Sequence, residues 1–177
     1  VSVYTEASFL LVDDTLTALQ KLAIYHRSRF DTPVIGITGS NGKTIVKEWL
    51  YQLLHEDYNI VRNPKSYNSQ TGVPLSLWLI QPENNLGIFE AGISESGEMQ
   101  KLEKIIRPTI GVFTNIGEAH NEGFLSARHK TKEKLNLFVN AKILIYCKDY
   151  SDINQSIAEI NTLSKGSDET ENKIKTL

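Results

Sequence analysis

The feature that most constrains the fold is an abrupt change of hydrophobic period between residues 34 and 54. Val34, Ile35 and Ile37 form a short apolar run, which is typical of a strand buried on both faces. Beyond Thr44 apolar residues recur at steps of three and four, which predicts a helix that starts at about Gly42; they are Val46, Trp49, Leu50, Leu53 and Leu54. A strand, a tight turn and a helix therefore follow one another directly.

The turn reads Gly39-Ser40-Asn41-Gly42 and is followed by Lys43 and Thr44. Its backbone N–H groups converge at the positive end of the helix, where they can hold a phosphate. The Lys43 ammonium can reach β- and γ-phosphate oxygens, and the Thr44 hydroxyl can hold a bridging Mg²⁺. The match to the P-loop pattern is incomplete, because Ile37 stands where that pattern has its first glycine. The alternative is a glycine-rich turn with a solvent-exposed lysine, but the flanking strand and helix favour a phosphate site.

Further strands are predicted at residues 59–62, 86–91, 109–114 and 142–146, with helices at 73–80, 97–106 and 126–139 between them. This alternation predicts an α/β fold, a mainly parallel sheet with helices on both faces. Ahead of it, residues 9–12 are predicted as a strand and Asp13 as the start of a helix. We therefore interpret residues 1–32 as a connector from a preceding domain, 33–164 as the nucleotide-binding domain and 165–177 as a polar tail.

The composition excludes several classes of function. The chain of 177 residues carries 19 basic and 21 acidic side chains without a basic block, so we expect no nucleic-acid partner. No apolar run approaches the roughly 18 residues that span a bilayer, so we expect a cytoplasmic protein without membrane insertion. We also expect a monomer. The single Cys147 lies in a strand-like run, which predicts a buried structural thiol and leaves no disulfide within the chain.

Polar residues suited to a magnesium nucleotide follow the predicted strands. They are residues 38–44, then Asn68, Glu90, and the stretch from Asn115 to His120. In parallel sheets ligands gather at the carboxyl ends of the strands, and these oxygens and an imidazole suit Mg²⁺. Each has an alternative: Glu90 as an ordinary carboxylate at the sheet edge, His120 as a solvated loop residue, Asn68 as a residue that stabilises its own turn and Asn115 as a strand-end hydrogen-bonding residue.

Four motifs stand in order along the chain: Thr38-Gly-Ser-Asn-Gly-Lys-Thr44, Tyr67-Asn-Ser-Gln-Thr-Gly-Val-Pro-Leu75, Glu90-Ala-Gly-Ile-Ser-Glu-Ser-Gly-Glu98 and Thr114-Asn-Ile-Gly-Glu-Ala-His-Asn-Glu-Gly-Phe124. Together they resemble the central ATP-binding domain of the Mur ligases, the amino-acid ligases of peptidoglycan precursor synthesis. The third and fourth motifs are most similar to the members that join D-alanyl-D-alanine to UDP-N-acetylmuramoyl-tripeptide. The whole also resembles a subgroup that is fused to an alanine racemase.

The resemblance implies a role for each candidate residue. It makes Lys43 the phosphate lysine, with Thr44 and Glu90 as ligands of one Mg²⁺. It makes His120 a ligand of a second Mg²⁺ and Asn68 a residue that positions the reacting phosphate. The implied reaction transfers the γ-phosphoryl group of ATP to the terminal carboxylate of the tripeptide substrate, and the amine of D-alanyl-D-alanine then attacks the acyl phosphate.

The predicted helix over residues 126–139 contains Lys130, Lys132 and Lys134. At about 100° per residue, Lys134 falls near the centre of the apolar arc, Lys130 toward its edge and Lys132 on the far side. Mur ligases carry a carbamylated lysine that bridges to the second Mg²⁺, and the resemblance places that role on Lys134. Burial favours the neutral amine, which is the form that reacts with CO₂. The alternative is a solvated basic face.

The resemblance is incomplete, because no segment like the family's nucleoside-holding helix start precedes Leu177. We therefore expect the isolated chain not to ligate and to bind Mg-ATP weakly or not at all. Two alternatives remain open. One is another member of the superfamily, such as a folylpolyglutamate synthase, whose loop usually reads Gly-Lys-Gly or Gly-Lys-Ser. The other is a non-catalytic nucleotide-binding module.

Overall fold

The computed structural model describes residues 8–117 and 124–164. Its five strands form one parallel sheet in the order β2-β3-β1-β4-β5. The strands are β1 (Val34–Thr38), β2 (Ile60–Arg62), β3 (Leu86–Glu90), β4 (Ile110–Phe113) and β5 (Ile143–Tyr146). Because β1 and β3 are buried along their whole length, they read as continuous apolar runs. The predicted α/β fold with a parallel sheet is confirmed.

Six α-helices connect or flank these strands within the described residues. They are α1 (Thr15–Ser28), α2 (Lys43–Leu54), α3 (Gly72–Leu77), α4 (Glu98–Ile106), α5 (Ala127–Leu135, continued by a 3₁₀ turn at Asn136–Phe138) and α6 (Ser151–Ser164). Asp14 caps α1 by accepting a hydrogen bond from the backbone N–H of Thr17. Arg27 fastens α1 to the domain, because its guanidinium donates to the carbonyls of Ile106 and Thr32.

Helices cover both faces of the sheet. On one face α2 packs Val46, Leu50 and Leu54 against the apolar side chains of β1 and β3. The opposite face carries the larger core, to which the remaining helices contribute; its members include Val34, Phe89, Met99, Leu102, Phe113, Leu137, Leu144 and Ile153. This arrangement leaves the carboxyl ends of the central strands as the open edge of the sheet.

Two expectations from the sequence are wrong, the strand at residues 9–12 and the buried thiol of Cys147. Residues 9–12 form no strand; their apolar side chains have no neighbouring strand to pair with, and Leu11 is 97% exposed. Trp49 and Leu53 are exposed, because only one side of α2 meets the sheet. Cys147 is exposed, because β5 ends at Tyr146 on the edge of the sheet.

Helix α6 was not predicted, although Ile153, Ile157 and Ile160 recur there at steps of four and three. Its buried positions are few, with Ile153 and Ile157 packed into the core and Ser156 also buried. Two basic side chains of α5 hold its outer face, since Arg128 and Lys132 both pair with Glu159. The apolar side of α6 packs into the core, and its ion pairs with α5 lie on the outer side of the helix.

Candidate phosphate-binding site

The carboxyl end of β1 lies at the point where the strand order reverses. Strands β2 and β3 lie on one side of β1 in the sheet, and β4 and β5 lie on the other side. The register aligns Ile37 of β1 with Glu90 of β3, and Thr38 with Phe113 of β4. Residues that follow these three strands are therefore brought to one crevice, which is where parallel α/β sheets bind ligands.

The turn after β1 depends on glycine at two positions. Gly39 has φ +146°, and a Cβ atom there would collide with the Thr114 hydroxyl oxygen. Gly42 has φ +79° and precedes α2, and no side chain caps that helix. Only glycine fits the close approach at residue 39, and glycine at 42 adopts its left-handed backbone without strain. The first N–H groups of α2 therefore face the crevice uncapped by a side chain.

The loop after β4 supports this turn. The Asn115 carbonyl accepts from the Ser40 N–H at 2.9 Å, and its side-chain oxygen accepts from the Asn41 N–H at 3.0 Å. The Thr114 hydroxyl donates to the Asn41 carbonyl at 2.6 Å. Asn115 is thus a strand-end residue whose hydrogen bonds hold the phosphate turn in place.

Thr44, Asn68 and Glu90 meet at the end of β3. One carboxylate oxygen of Glu90 accepts from the Thr44 hydroxyl at 3.1 Å and from the Asn68 side-chain amide at 3.2 Å. The carboxylate is fully buried, and its other oxygen has no hydrogen-bond partner among the described residues. A buried carboxylate oxygen without a partner is costly, so it fits a position that binds a cation.

Hard oxygen donors of this kind suit Mg²⁺, which is typically bound through one or two carboxylates together with nucleotide phosphates. Within residues 8–117 and 124–164 no cluster of three or more His, Cys, Asp or Glu side chains could hold a metal alone. Thr44 and Glu90 therefore fit a metal that completes its coordination with ligand and water oxygens. His120, the other predicted metal ligand, lies outside the described residues.

Three lysines surround the same turn. Lys43 and Lys134 both donate to the Gly39 carbonyl, at 3.1 Å and 3.2 Å. Lys130 donates to the Gly117 carbonyl at 2.8 Å. They line a cavity of about 230 Å³ together with Gly39, Ser40, Asn68, Ser69, Gly92, Ile93 and Ser94. Three ammonium groups converging on one small polar cavity give it the charge that favours a polyanion.

Burial is the first cause of the lysine pKa shifts. Burial, followed by the charges of Lys43 and Lys130, lowers the pKa of Lys134 to about 7. Burial also lowers the pKa of Lys130, with Lys43 adding to the effect. Burial lowers the pKa of Lys43, and this is partly opposed by the Glu90 carboxylate. A bound phosphate would relieve this repulsion.

The lysines of α5 differ in orientation. Lys134 faces inward and is buried, as the helical arc predicted, and Lys130 is buried as well, more deeply than its position at the edge of that arc suggested. Lys132 is exposed and pairs with Glu159 at 2.9 Å, which agrees with its predicted place on the far side. α5 therefore presents two ammonium groups to the turn and one to α6.

Two buried polar residues near the site were not recognised in the sequence. Lys47 lies one turn after Lys43 on α2, and Asn63 directly follows β2; both are fully buried. The position of Asn63 just after a strand was an available signal. Nothing in the helical pattern marked Lys47, because lysine is almost never buried without a partner.

The parallel sheet, the glycine turn at its switch point and the lysine and threonine that open α2 define a P-loop type of nucleotide-binding domain. Comparison with known proteins identifies the family of this domain. The chain belongs to the Mur ligase family, since residues 37–176 match the model of the Mur ligase middle domain. The resemblance inferred from the four motifs is confirmed.

Individual curated relatives are ligases of this family. The UDP-N-acetylmuramoyl-tripeptide--D-alanyl-D-alanine ligase of Bacillus subtilis is 39% identical over 144 residues, which cover 79% of this chain and 31% of the relative. The same ligase of Treponema pallidum is 41% identical over 134 residues, covering 75% and 29%. The chain thus spans about a third of the length of these curated relatives.

Solved structures show the same fold. The MurF ligase from Thermotoga maritima in complex with ADP superposes with a TM-score of 0.79 at 29% identity, covering 88% of this chain and 37% of that one. A mutant of L. casei FPGS superposes with a TM-score of 0.61 at 12% identity, covering 86% of this chain and 49% of that one, which shows a shared fold alone. Among the described residues, no helix has both the length and the apolar character to cross a membrane.

Proposed function

We propose that this chain is the nucleotide-binding domain of an ATP-dependent ligase that joins D-alanyl-D-alanine to UDP-N-acetylmuramoyl-tripeptide in the cytoplasm, a step of peptidoglycan precursor synthesis. The observation that carries the proposal is the buried Glu90 carboxylate, which lies against Thr44 and Asn68 beside an uncapped helix N-terminus. The names of the relatives at 39% and 41% identity support the same substrates.

Each residue acts through its position. The N–H groups of the turn from Gly39 to Gly42 bind the phosphates of ATP, and Lys43 neutralises charge on the β- and γ-phosphates. Thr44 and Glu90 would hold Mg²⁺, which when bound stabilises negative charge on the transferred phosphoryl group. Asn68 keeps the Glu90 carboxylate oriented and lines the cavity where the γ-phosphoryl group would lie.

Lys134 takes the role of a carbamylated residue. Its pKa of about 7 leaves a large neutral fraction near neutral pH. The neutral amine attacks CO₂: a C–N bond forms while one C=O π bond opens onto its oxygen, and the nitrogen loses one proton to solvent, which leaves an anionic carbamate. This change would place a negative group between Lys43 and Lys130 and supply an oxygen ligand for a second metal, for which His120 remains the predicted partner. Lys132 lies on the same helix but is exposed, so we expect no carbamate on it, and it serves as the control for Lys134.

The test is turnover by the ligase that contains this domain. We expect phosphate release from ATP that requires both UDP-N-acetylmuramoyl-tripeptide and D-alanyl-D-alanine, and none with a folate and glutamate. Turnover with the folyl substrates would instead favour a folylpolyglutamate synthase. Absence of any ATP-dependent turnover would favour a non-catalytic nucleotide-binding module.

A further inference from the structure

The most deeply buried side chain of α2 is a lysine. Lys47 is 0% exposed, whereas Trp49 and Leu53 on the same helix are 63% and 75% exposed. A charged side chain is buried in preference to large apolar neighbours only when its hydrogen bonds are satisfied. The reason for its burial therefore lies in what its ammonium group contacts.

The Lys47 ammonium group binds the loop that follows β2. It donates to the carbonyl of Asn63 at 2.9 Å and to the carbonyl of Lys65, and it lies 3.4 Å from the Glu48 carboxylate. Glu48 is held in turn by Arg62 at 2.6 Å. The ammonium group thus makes two hydrogen bonds, both to backbone oxygens of one short loop, and one ion pair.

That loop has a backbone that needs support. Lys65 adopts φ +48°, a left-handed conformation that is unfavourable for residues other than glycine. Its carbonyl is one of the two that Lys47 binds. A buried donor from α2 therefore holds a strained residue in the loop that leads to Asn68.

Asn63 connects the same loop to the end of β3. Its side-chain oxygen accepts from the Glu90 N–H at 2.6 Å, and its amide donates to the Tyr67 carbonyl at 2.7 Å. The Asn68 carbonyl accepts from the Gly92 N–H at 2.8 Å, just beyond β3. The loop is consequently fixed on one side by α2 and on the other by the strand that carries Glu90.

We propose that Lys47 and Asn63 are positioning residues, which lock the loop from Asn63 to Asn68 between α2 and β3 so that Asn68 and Glu90 keep the geometry of the phosphate site. This inference rests on the proposed function. It adds a physical link between the helix that opens with Lys43 and the carboxylate on β3, through residues whose hydrogen bonds are made within the protein.

The decisive variant is Lys47→Met, which keeps most of the aliphatic stem and removes all three donors. In the ligase that contains this domain, we expect the Mg²⁺ concentration for half-maximal activity to rise at least about tenfold, as mutation of partners that orient metal ligands typically does. The KM for D-alanyl-D-alanine should stay within about twofold, because the proposal gives this loop a role only in the geometry of Asn68 and Glu90. Lys101→Met, an exposed lysine of α4, is the control and should change neither value.

Hydrogen exchange gives a readout that does not depend on activity. Without nucleotide, Lys47→Met should speed exchange at the N–H groups of Tyr67, Asn68 and Glu90, which are bonded within this loop or to Asn63, at least about tenfold relative to the strand β1. If Lys47 only stabilises the fold, exchange should become faster throughout the domain. The molecules that remain folded should then reach half-maximal activity at the wild-type Mg²⁺ concentration.

A second variant addresses the case in which Lys47→Met does not fold. Lys47→Met combined with Lys65→Gly relaxes the left-handed residue and should fold, while the loop still lacks its donor and the Mg²⁺ dependence stays shifted. If the Mg²⁺ dependence and the local exchange match those of the control, Lys47 has no positioning role. A wild-type protein without ligase turnover would overturn the proposed function and this inference together, whereas an active wild type with an unshifted Lys47→Met variant would overturn the inference alone.

Discussion

Replacing Lys134 by methionine should change how the stability of the domain depends on pH. Lys134 is 3% exposed, and burial together with the charges of Lys43 and Lys130 lowers the pKa of its amine from 10.5 to about 7. Between these two values the unfolded chain binds more protons than the folded chain, so the free energy of unfolding rises with pH in this window. Below about pH 7 the full cost of the buried charge is present.

The size of the effect follows from the shift. The difference between 10.5 and about 7 is about 3.5 pKa units, which at about 1.4 kcal/mol each amounts to at most about 5 kcal/mol. Titration of this one amine should therefore raise the free energy of unfolding by about 2 kcal/mol between pH 7 and pH 9. Lys134→Met removes the titrating group at similar length, so its stability should exceed that of the wild type at pH 7 and rise less steeply.

Urea unfolding of the 177-residue chain at several pH values measures this, in buffers freed of bicarbonate so that no carbamate forms. Lys132→Met is the matched control on the same helix, because Lys132 is exposed; it should keep the wild-type slope and lie within about 0.5 kcal/mol of the wild type. Equal slopes for the wild type and Lys134→Met would refute the reasoning that the folded domain buries a charged amine at neutral pH.

Four further outcomes are expected. Lys43→Ala in the ligase should lower turnover at least about a hundredfold with little change in unfolding, and an active variant would remove Lys43 from the site. With ¹³C-bicarbonate, a carbamate NMR signal should appear in the wild type and be missing from Lys134→Met; a fully active Lys134→Ala ligase would contradict the carbamate. Gly42→Ala should destabilise the domain by about 1–2 kcal/mol, for its left-handed φ. Gly39→Ala should cost about 1–3 kcal/mol more than Gly42→Ala, since its Cβ also collides with the Thr114 hydroxyl; equal unfolding midpoints would disprove this difference. The isolated chain should release no phosphate with both substrates present, and release that depends on both would show this expectation to be wrong.

The strand, turn and helix around Gly39 could be predicted from the sequence because they are set by neighbours in the chain. The period of apolar residues changes within a few positions, and glycine is demanded by local backbone angles. The order of the remaining strands and helices followed from the same kind of pattern. The meeting of Thr44, Asn68 and Glu90 also followed, because carboxyl ends of parallel strands share one edge of the sheet.

Long-range packing decided the rest. Whether the side chains of residues 9–12, Trp49 or Cys147 are covered depends on which elements lie beside them. The apolar pattern alone gave the wrong answer for residues 9–12 and for Cys147. Helix α6 is stabilised by the burial of Ile153 and Ile157 in the core, which distant parts of the chain provide.

Lys47 is the clearest case of the difference. Its place on α2 was correctly predicted, yet its burial depends on two carbonyl groups of a loop that lies sixteen to eighteen residues further along the chain. Local periodicity records which face of a helix is apolar, because each residue contributes its own side chain to that face. It does not record which backbone oxygens the fold brings against that face, so the partners of a buried ammonium group are decided only when the sheet and its loops have assembled.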